Sequence, residues 1–484
     1  MDLWRKKTIK QAIKDTEEPI YLLPKRLGAL ELTIFGVGVI IGAGIFVQTG
    51  RGAGVQAGPA IALSFLFAGI ACALTAMCYA EFASTVPVAG SAYTFSYVSL
   101  GELVAWIIGW DLILELALGA STVAVGWSDY FADVMKSAGV TIPNWAYGGG
   151  HNIIAAGIVL ILTGVICLGI KVSSQVNIVM VAIKVAIVMF VIIAGLFYIR
   201  ASNYSPFVPP SGSPGAGGTQ SPPSLLQYIG FSHGSFGING IFTGAALVFF
   251  SFIGFDIVAT AAEETKKPQR DMPIGILASL AICTTLYVAV SLVVTGMVKY
   301  TKIKVAAPLA EAFRSVGDPG FATVISVGAL LGLTTVIMIL LLGQSRLFFA
   351  MSRDQLIPPR FSVVSERFRT PIRASRAVGL LVAIIATFVS FTDLTELVNI
   401  GTLFAFILVA FSVVVLRHTR PDLPRAFRCP GVPVVPILAV LASFYLMLNL
   451  PVATWIRFIV WMAIGMVVYF SYSIKRSRLT NNPS

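Results

Sequence analysis

Residues 36–46, GVGVIIGAGIF, combine an apolar run with four glycines, and Gly42 and Gly44 enclose a single alanine. An interior glycine costs a helix about 0.5–1 kcal/mol relative to alanine. A helix that unwinds here frees N–H groups that suit a carboxylate and carbonyls that suit an ammonium group. The stretch therefore predicts a backbone site for a zwitterion such as an α-amino acid. Close helix packing through small residues is the alternative.

A second interruption occurs in FFSFIGFD (249–256), where Gly254 precedes Asp256 within another apolar stretch. Asp256 is predicted to cap the helix that resumes there, because a carboxylate can accept from freed N–H groups. Direct proton transfer by Asp256 is the alternative. Interrupted segments at matching positions in two halves of a chain indicate a transporter binding site near the membrane midplane.

Three more charged residues lie inside apolar stretches, where charge costs about 2.5–3.5 kcal/mol. Lys184, in VNIVMVAIKVAIVMF, is predicted either to carry a coupling proton or to bond to the freed carbonyls of the first helix. A structural ion pair is the alternative for Lys184. Glu115 and Asp111 share a helix face because they are four residues apart. Glu115 is predicted to relay protons or pair with Lys184, with a buried structural hydrogen bond as the alternative.

The whole chain has the composition of a polytopic membrane protein. Its 484 residues are 57% hydrophobic and 12% charged, whereas about a quarter of a soluble domain is charged. Apolar runs of the length that crosses a bilayer predict an all-α fold of about twelve transmembrane helices, and continuous runs of this length exclude a β-barrel. The predicted spans are 30–50, 58–80, 102–130, 152–170, 175–199, 239–262, 273–299, 320–350, 376–392, 396–417, 434–450 and 454–474.

The distribution of positive charge predicts the orientation of the chain. The net charge is +12, yet 25 of the 34 Lys and Arg residues fall in the segments on one side and 8 in the loops opposite. By the positive-inside rule, both termini are predicted to lie in the cytoplasm. The plasma membrane is the expected location of the protein. This asymmetry accounts for the charge without a nucleic-acid partner.

The residues give no indication of an enzyme, a metal site or a cofactor. The five cysteines are scattered without a disulfide or metal-ligand pattern, and the three histidines lie near or beyond the ends of the spans. The polar, basic beginning of the chain does not resemble a cleavable signal. It is predicted to be an amphipathic segment on the cytoplasmic membrane surface, with a solvated arm as the alternative.

A Pro-, Gly- and Ser-rich loop divides the chain into two halves of five spans each. An odd number of spans per half places the halves in opposite orientations, as in an inverted repeat. The predicted divisions are a cytoplasmic amphipathic segment, a first repeat, an extracellular loop, a second repeat, and helices 11 and 12 with the cytoplasmic C-terminus: 1–29, 30–199, 200–238, 239–417 and 418–484.

Five long motifs resemble one family of transporters: LGALELTIFGVGVIIGAGIFV (27–47), AGPAIALSF (57–65), CYAEFASTVPVAGSAYTFSYVSLGELVAWIIGWDLIL (78–114), FFSFIGFDIVATAAEETKKPQRDMPIGI (249–276) and GQSRLFFAMSRDQLIP (343–358). The chain resembles the amino acid-polyamine-organocation transporters, in particular bacterial-type permeases of the cationic amino acid transporter branch. The resemblance implies a LeuT-type repeat of five plus five helices with helices 1 and 6 broken, and transport by alternating access.

The resemblance also implies which groups contact the substrate. The carboxylate is expected at the N–H groups of Ala43 and Gly44, beside Gly42, and Phe250 is expected to act as an aromatic gate. Lipid-facing bulk is the alternative for Phe250. The ammonium group is expected at carbonyls of the two breaks, contributed by Ile40, Phe250, Ser251 and Ile253.

The pocket side chains predict a small neutral L-amino acid such as alanine, because they are small or apolar: Gly119, Ala120, Val123 and Met338. The branch name favours arginine or lysine as the alternative substrate. Lys184 resembles the residue that replaces the coupling cation of sodium-dependent relatives, which favours proton coupling. Two competing functions are exchange of amino acids without proton coupling and nutrient sensing without net flux.

The expected partners are therefore an amino acid, protons and membrane lipids. A homo-oligomer and a small accessory membrane subunit are left open, as is the role of helices 11 and 12. The charged segments 263–273 and 351–361 are expected either to form inner-gate contacts or to be solvated faces.

Overall fold

A computed structural model describes residues 25, 27–85, 91–148, 150–169, 174–216, 222–231, 234–363, 365, 370–423 and 425–477. Within these ranges the chain is helical apart from loops, isolated bridges and one antiparallel hairpin. The hairpin pairs β1 (Tyr147–Gly148) with β2 (His151–Asn152). Most of the predicted amphipathic segment 1–29 lies outside the described residues.

The first half of the chain contains two half-helices followed by five helices. The second half-helix, α2 (44–57), consists of a π turn, an α turn and another π turn: Gly44–Gln48, Thr49–Arg51 and Gly52–Ala57. The others are α1 (Ala29–Ile40), α3 (Ile61–Thr85), α4 (Ser91–Ser99), α5 (Glu102–Ser137), α6 (Ile153–Cys167) and α7 (Ser174–Leu196).

The second half also begins with an interrupted helix. The elements used below are α8 (Gly237–Val248), α9 (Phe255–Val258), α10 (Pro268–Met297), α11 (Pro308–Ser315), α12 (Pro319–Arg353), α13 (Ile372–Phe388), α14 (Phe391–Thr419), α15 (Val434–Leu448) and α16 (Val452–Val468). Short 3₁₀ turns occupy Ala201–Tyr204, Tyr300–Lys302 and Pro359–Phe361, and one helical turn occupies Leu225–Tyr228.

The predicted all-α polytopic fold is confirmed. Eight helical segments of the described chain are long and apolar enough to cross a membrane, and three shorter apolar helices accompany them. Each of the twelve predicted spans overlaps one helix or a pair of half-helices. The count of twelve crossings and the inverted repeat remain predictions.

Several helix ends differ from the predicted span ends, as at Ser137 for a span predicted to end at 130, and one predicted break lies elsewhere. The break between spans 376–392 and 396–417 falls earlier, because α13 ends at Phe388 and α14 begins at Phe391. Ser390 caps α14: its hydroxyl accepts from the N–H of Asp393 at 3.2 Å. A serine with an acid three residues later is a common helix start, so local capping overrides the apolar pattern.

The centre of the bundle is formed by α5 and by the interrupted segment Gly237–Ala262. In the apolar stretches of these two segments, 78% and 83% of the residues are buried, whereas in Val452–Arg476 only 22% are. Stacked tryptophans attach α16 to α5: Trp110 and Trp461 each donate an indole N–H to the other's backbone carbonyl. The two interrupted helices therefore lie in or beside the core, where freed backbone groups are tolerated.

Candidate functional site

The first helix is interrupted where the glycines predict. After α1 ends, Ile41 has extended backbone (φ −72°, ψ 92°), and helical structure resumes at Gly44. The first N–H groups of a helix have no acceptor within it. The start of α2 therefore presents backbone donors at the depth of the core, where Ala43 and Gly44 are buried.

The second interruption lies between α8 and α9. A 3₁₀ turn, Phe249–Phe252, is followed by extended Ile253 and by Gly254 with φ +120°. A β-carbon at Gly254 would also lie 2.6 Å from the side chain of Val39. Both conformation and space therefore require glycine there. The N–H of Gly254, which precedes α9, donates to Oδ1 of Asp256 at 3.1 Å, so this carboxylate accepts from a freed N–H group at the start of α9.

The two interruptions lie against each other. A β-carbon at Gly44 would overlap the backbone of Ser251 and lie 2.5 Å from its Cβ atom. At Gly42, by contrast, an added β-carbon would contact Val336 at an ordinary 3.4 Å. Glycine is thus needed at position 44 for the close approach of the two breaks.

Tyr287 on α10 joins the two breaks and was not foreseen from the sequence. Its hydroxyl lies 2.7 Å from the carbonyl oxygen of Ile40 and 3.0 Å from that of Ser251. These are two of the carbonyls expected to receive the substrate ammonium. A hydrogen-bond donor at this point shows that both carbonyls converge on one position.

One face of α5 forms a wall beside the breaks. Gly119, Val123 and Gly126 recur at helical spacing, so they share this face. A β-carbon at Gly126 would lie 3.5 Å from that of Ala43, which brings α5 next to the first break. Gly126 was missed in the sequence, where nothing distinguishes it from a packing glycine. Ala120 is fully buried on α5.

The facing helix α12 presents different side chains from the one predicted. Val336 lies opposite Gly42, and Leu340 lies 3.7 Å from a β-carbon placed at Gly119. Met338 is half-buried and lies two residues from Val336 and two from Leu340 in the sequence. Residues two apart on a helix point in nearly opposite directions. Leu340 and Val336 therefore replace Met338 as the α12 side chains beside the breaks.

Phe250 is 7% exposed, which excludes the alternative of a lipid-facing side chain. It occupies the 3₁₀ turn of the second break, next to Ser251.

Lys184 lies in the core and contacts the first helix. It is 1% exposed, and its ammonium nitrogen donates to the carbonyl of Gly38 at 2.7 Å. Within the described chain no carboxylate forms an ion pair with Lys184, so neither the predicted pair with Glu115 nor another structural pair is found. Its contact is with the last turn of α1.

Two carboxylates of α5, Glu115 and Asp111, lie in a separate buried group. The hydroxyl of Thr402 hydrogen-bonds to Glu115, and Asp111 lies against Gly401 on α14. One oxygen of Glu115 and both of Asp111 are buried without a hydrogen-bond partner in the described part of the chain. Asp256 lies within electrostatic range of Glu115.

Side-chain and backbone contacts lie on both sides of the breaks. On the side predicted to be extracellular, Arg51 of α2 donates to the Thr392 hydroxyl at 2.6 Å and lies 4.6 Å from the ring of Phe391. Towards the predicted cytoplasmic side, Leu27 forms two backbone hydrogen bonds with Glu264 and Lys266, which lie in the predicted inner-gate segment 263–273. In the other such segment, 351–361, Asp354 accepts from the Tyr93 hydroxyl at 2.8 Å.

Comparisons with known proteins identify the family to which the chain belongs. The amino acid permease family model matches residues 27–469. The chain is 45% identical to a branched-chain amino acid permease of Bacillus subtilis, over 99% of both chains. It is 44% identical to a methylthioribose transporter of the same organism, over 94% of this chain and 95% of that one. It is 32% identical to a vacuolar cationic amino acid transporter of Arabidopsis thaliana, over 95% and 93%. The chain belongs to the amino acid permease family of membrane transporters, and it is not an enzyme.

Proposed function

We propose that this protein is a proton-coupled importer of small neutral L-amino acids, such as alanine, that works by alternating access in the plasma membrane. The observation that carries the proposal is the convergence of the Ile40 and Ser251 carbonyls beside the N-terminal start of α2. Carbonyls bind the ammonium group, and the N–H groups at Ala43 and Gly44 bind the carboxylate. The backbone alone then recognises the part that all α-amino acids share.

The walls beside the breaks favour a small apolar side chain. Gly119 leaves room on α5, Val123 lines the next turn, and Leu340 closes the space from α12. None of these side chains offers a hydrogen bond to a polar substrate group. A similar permease is named for branched-chain amino acids, which also have apolar side chains.

A cationic amino acid is the second candidate, and Glu115 is the observation that favours it. Glu115 lies one helical turn from Gly119, and one of its oxygens is buried without a hydrogen-bond partner in the described chain. A lysine or arginine side chain that passed Gly119 would reach this carboxylate. Leu340 stands beside Gly119 and obstructs that path.

Leu340→Ser separates the two candidates. The smaller side chain opens the space next to Gly119, so we expect alanine uptake to persist and arginine binding to increase at least about tenfold, which corresponds to about 1.4 kcal/mol. Met338→Ser is the matched control, because Met338 does not face Gly119, and it should leave arginine binding unchanged. Strong arginine uptake by the unaltered protein would instead favour the second candidate.

Coupling to protons is attributed to Lys184. A charged ammonium forms a stronger hydrogen bond than a neutral amine, so protonation of Lys184 would hold α1 through the Gly38 carbonyl and deprotonation would loosen it. The protonation state of one residue then influences the helix that contains the first break.

Lys184→Ala tests this role. We expect the variant to lose uphill alanine uptake driven by an inward proton gradient while it keeps exchange of internal for external alanine. Gradient-driven uptake with normal pH dependence in Lys184→Ala would overturn the attribution. Loss of both uptake and exchange, with the folded fraction preserved, would assign Lys184 to substrate binding instead.

A further inference from the structure

The short helix α11 covers the outer half-helix α2. Its apolar face is buried and consists of Pro308, Leu309, Ala310, Ala312 and Phe313. A β-carbon at Gly50 of α2 would overlap Pro308 and lie 3.3 Å from Ile303 in the preceding loop. Helix α11 is therefore seated directly on the glycine-rich surface of α2.

The C-terminal end of α11 is bound to α5 by a bidentate ion pair. The guanidinium of Arg314 donates to Oδ1 of Asp133 at 2.5 Å and to Oδ2 at 3.1 Å. Asp133 also accepts from the Ser326 hydroxyl of α12 at 2.6 Å. The hydrogen bond to Asp133 raises the pKa of Arg314. Paired geometry of this kind is stronger and more specific than a single-contact surface ion pair.

The same end of α5 also holds α2. Tyr130, one turn before Asp133, donates its hydroxyl to the backbone carbonyl of Phe46 at 2.7 Å. Helices α2, α5 and α11 are thus interlocked outside the two breaks. A separation of α2 from α5 would have to displace α11 or break its contacts.

We propose that Arg314 and Asp133 form an extracellular latch that holds α11 closed over α2, and that this latch opens when the binding site faces outward. The proposal rests on alternating access in the proposed function. In it, Arg314 and Asp133 are positioning residues: they set the balance between inward-facing and outward-facing forms and do not contact the substrate.

Asp133→Asn and Arg314→Gln test the latch by accessibility. A Val123→Cys reporter beside the breaks is introduced into protein whose five native cysteines are replaced by alanine. It is treated with a membrane-impermeant thiol reagent in right-side-out and in inside-out vesicles. Each latch variant should increase the outside labelling rate at least fivefold and decrease the inside rate. The conservative variant Arg314→Lys keeps a cation beside Asp133 and Glu311, so both rates should stay closer to those of the reporter alone than in Arg314→Gln.

Arg457→Gln is the matched control. Arg457 of α16 forms an ion pair with Asp393 of α14 at 2.5 Å, and these side chains are 45% and 40% exposed. Lys304 is unsuitable as a control, because its partner Glu311 also pairs with Arg314 at 2.9 Å. Arg457→Gln should leave both labelling rates unchanged.

Several outcomes would overturn the latch. They are equal increases on both sides, which indicate loosened packing, unchanged rates in both latch variants, or the same effect from Arg457→Gln. A lower melting temperature without a change in sidedness would assign the pair a structural role only. Labelling reports conformation without transport, so failure of alanine uptake would reject the proposed substrate and leave this test intact.

Discussion

The contact between Gly44 and Ser251 makes the two glycines of the first break unequal. An alanine β-carbon at position 44 would lie 2.5 Å from Cβ of Ser251, where ordinary contact begins near 3.4 Å. The breaks must separate by about 1 Å to accept it. That shift takes one of the two carbonyls that meet at Tyr287, now 2.7 and 3.0 Å from the hydroxyl, beyond hydrogen-bonding range of a shared donor.

The loss of binding free energy follows from the loss of one carbonyl contact to the substrate ammonium group. A hydrogen bond to a charged group contributes about 1.5–3 kcal/mol, so Gly44→Ala should weaken alanine binding about 10- to 150-fold. Gly42→Ala meets only an ordinary 3.4 Å contact with Val336 and should change affinity less than about threefold. Equilibrium binding of radiolabelled alanine to purified protein, with melting temperature as a check on folding, measures both variants. Equal effects of the two substitutions, or normal binding by folded Gly44→Ala, would refute the convergent-break reasoning.

Two further substitutions probe other contacts. Tyr287→Phe leaves the Ile40 and Ser251 carbonyls without this donor, so the melting temperature without alanine should fall. The increase in melting temperature on adding alanine should then be larger than in the unaltered protein. The same increase in both proteins would show that the substrate and the hydroxyl do not share these carbonyls. Glu81→Gln weakens a bidentate contact with Arg417, whose two hydrogen bonds are 2.6 and 3.0 Å long. The free energy of unfolding measured by chemical denaturation should fall by about 1–3 kcal/mol. An unchanged unfolding midpoint would mean that this pair does not contribute to stability.

Local sequence was informative where backbone conformation decides the structure. The glycines around Ala43 and the pair Gly254–Asp256 predicted both interruptions, because few other residues suit an unwound segment in an apolar helix. The long apolar runs predicted the helices for a different reason: a helix that crosses a membrane needs a minimum length of apolar sequence. Capping at Ser390 moved one boundary, because a local hydrogen bond outweighed hydropathy.

Residues that act through distant contacts were not predictable in this way. Tyr287 lies 247 positions from Ile40, and no spacing rule relates them. The sequence predicted Met338 but did not point to Leu340, because α12 is apolar on all sides and its sequence does not indicate which face meets α5. The pairing of Arg314 with Asp133 likewise depends on how α11 packs against distant helices, which composition does not encode.

Alanine uptake into amino-acid-free proteoliposomes under an imposed inward proton gradient tests the central claim most directly. The account predicts accumulation above the external concentration that collapses when a protonophore removes the gradient. Uptake that requires internal amino acid and ignores the gradient would identify an exchanger, and alanine binding without any flux would identify a sensor. Either result would contradict proton-coupled import.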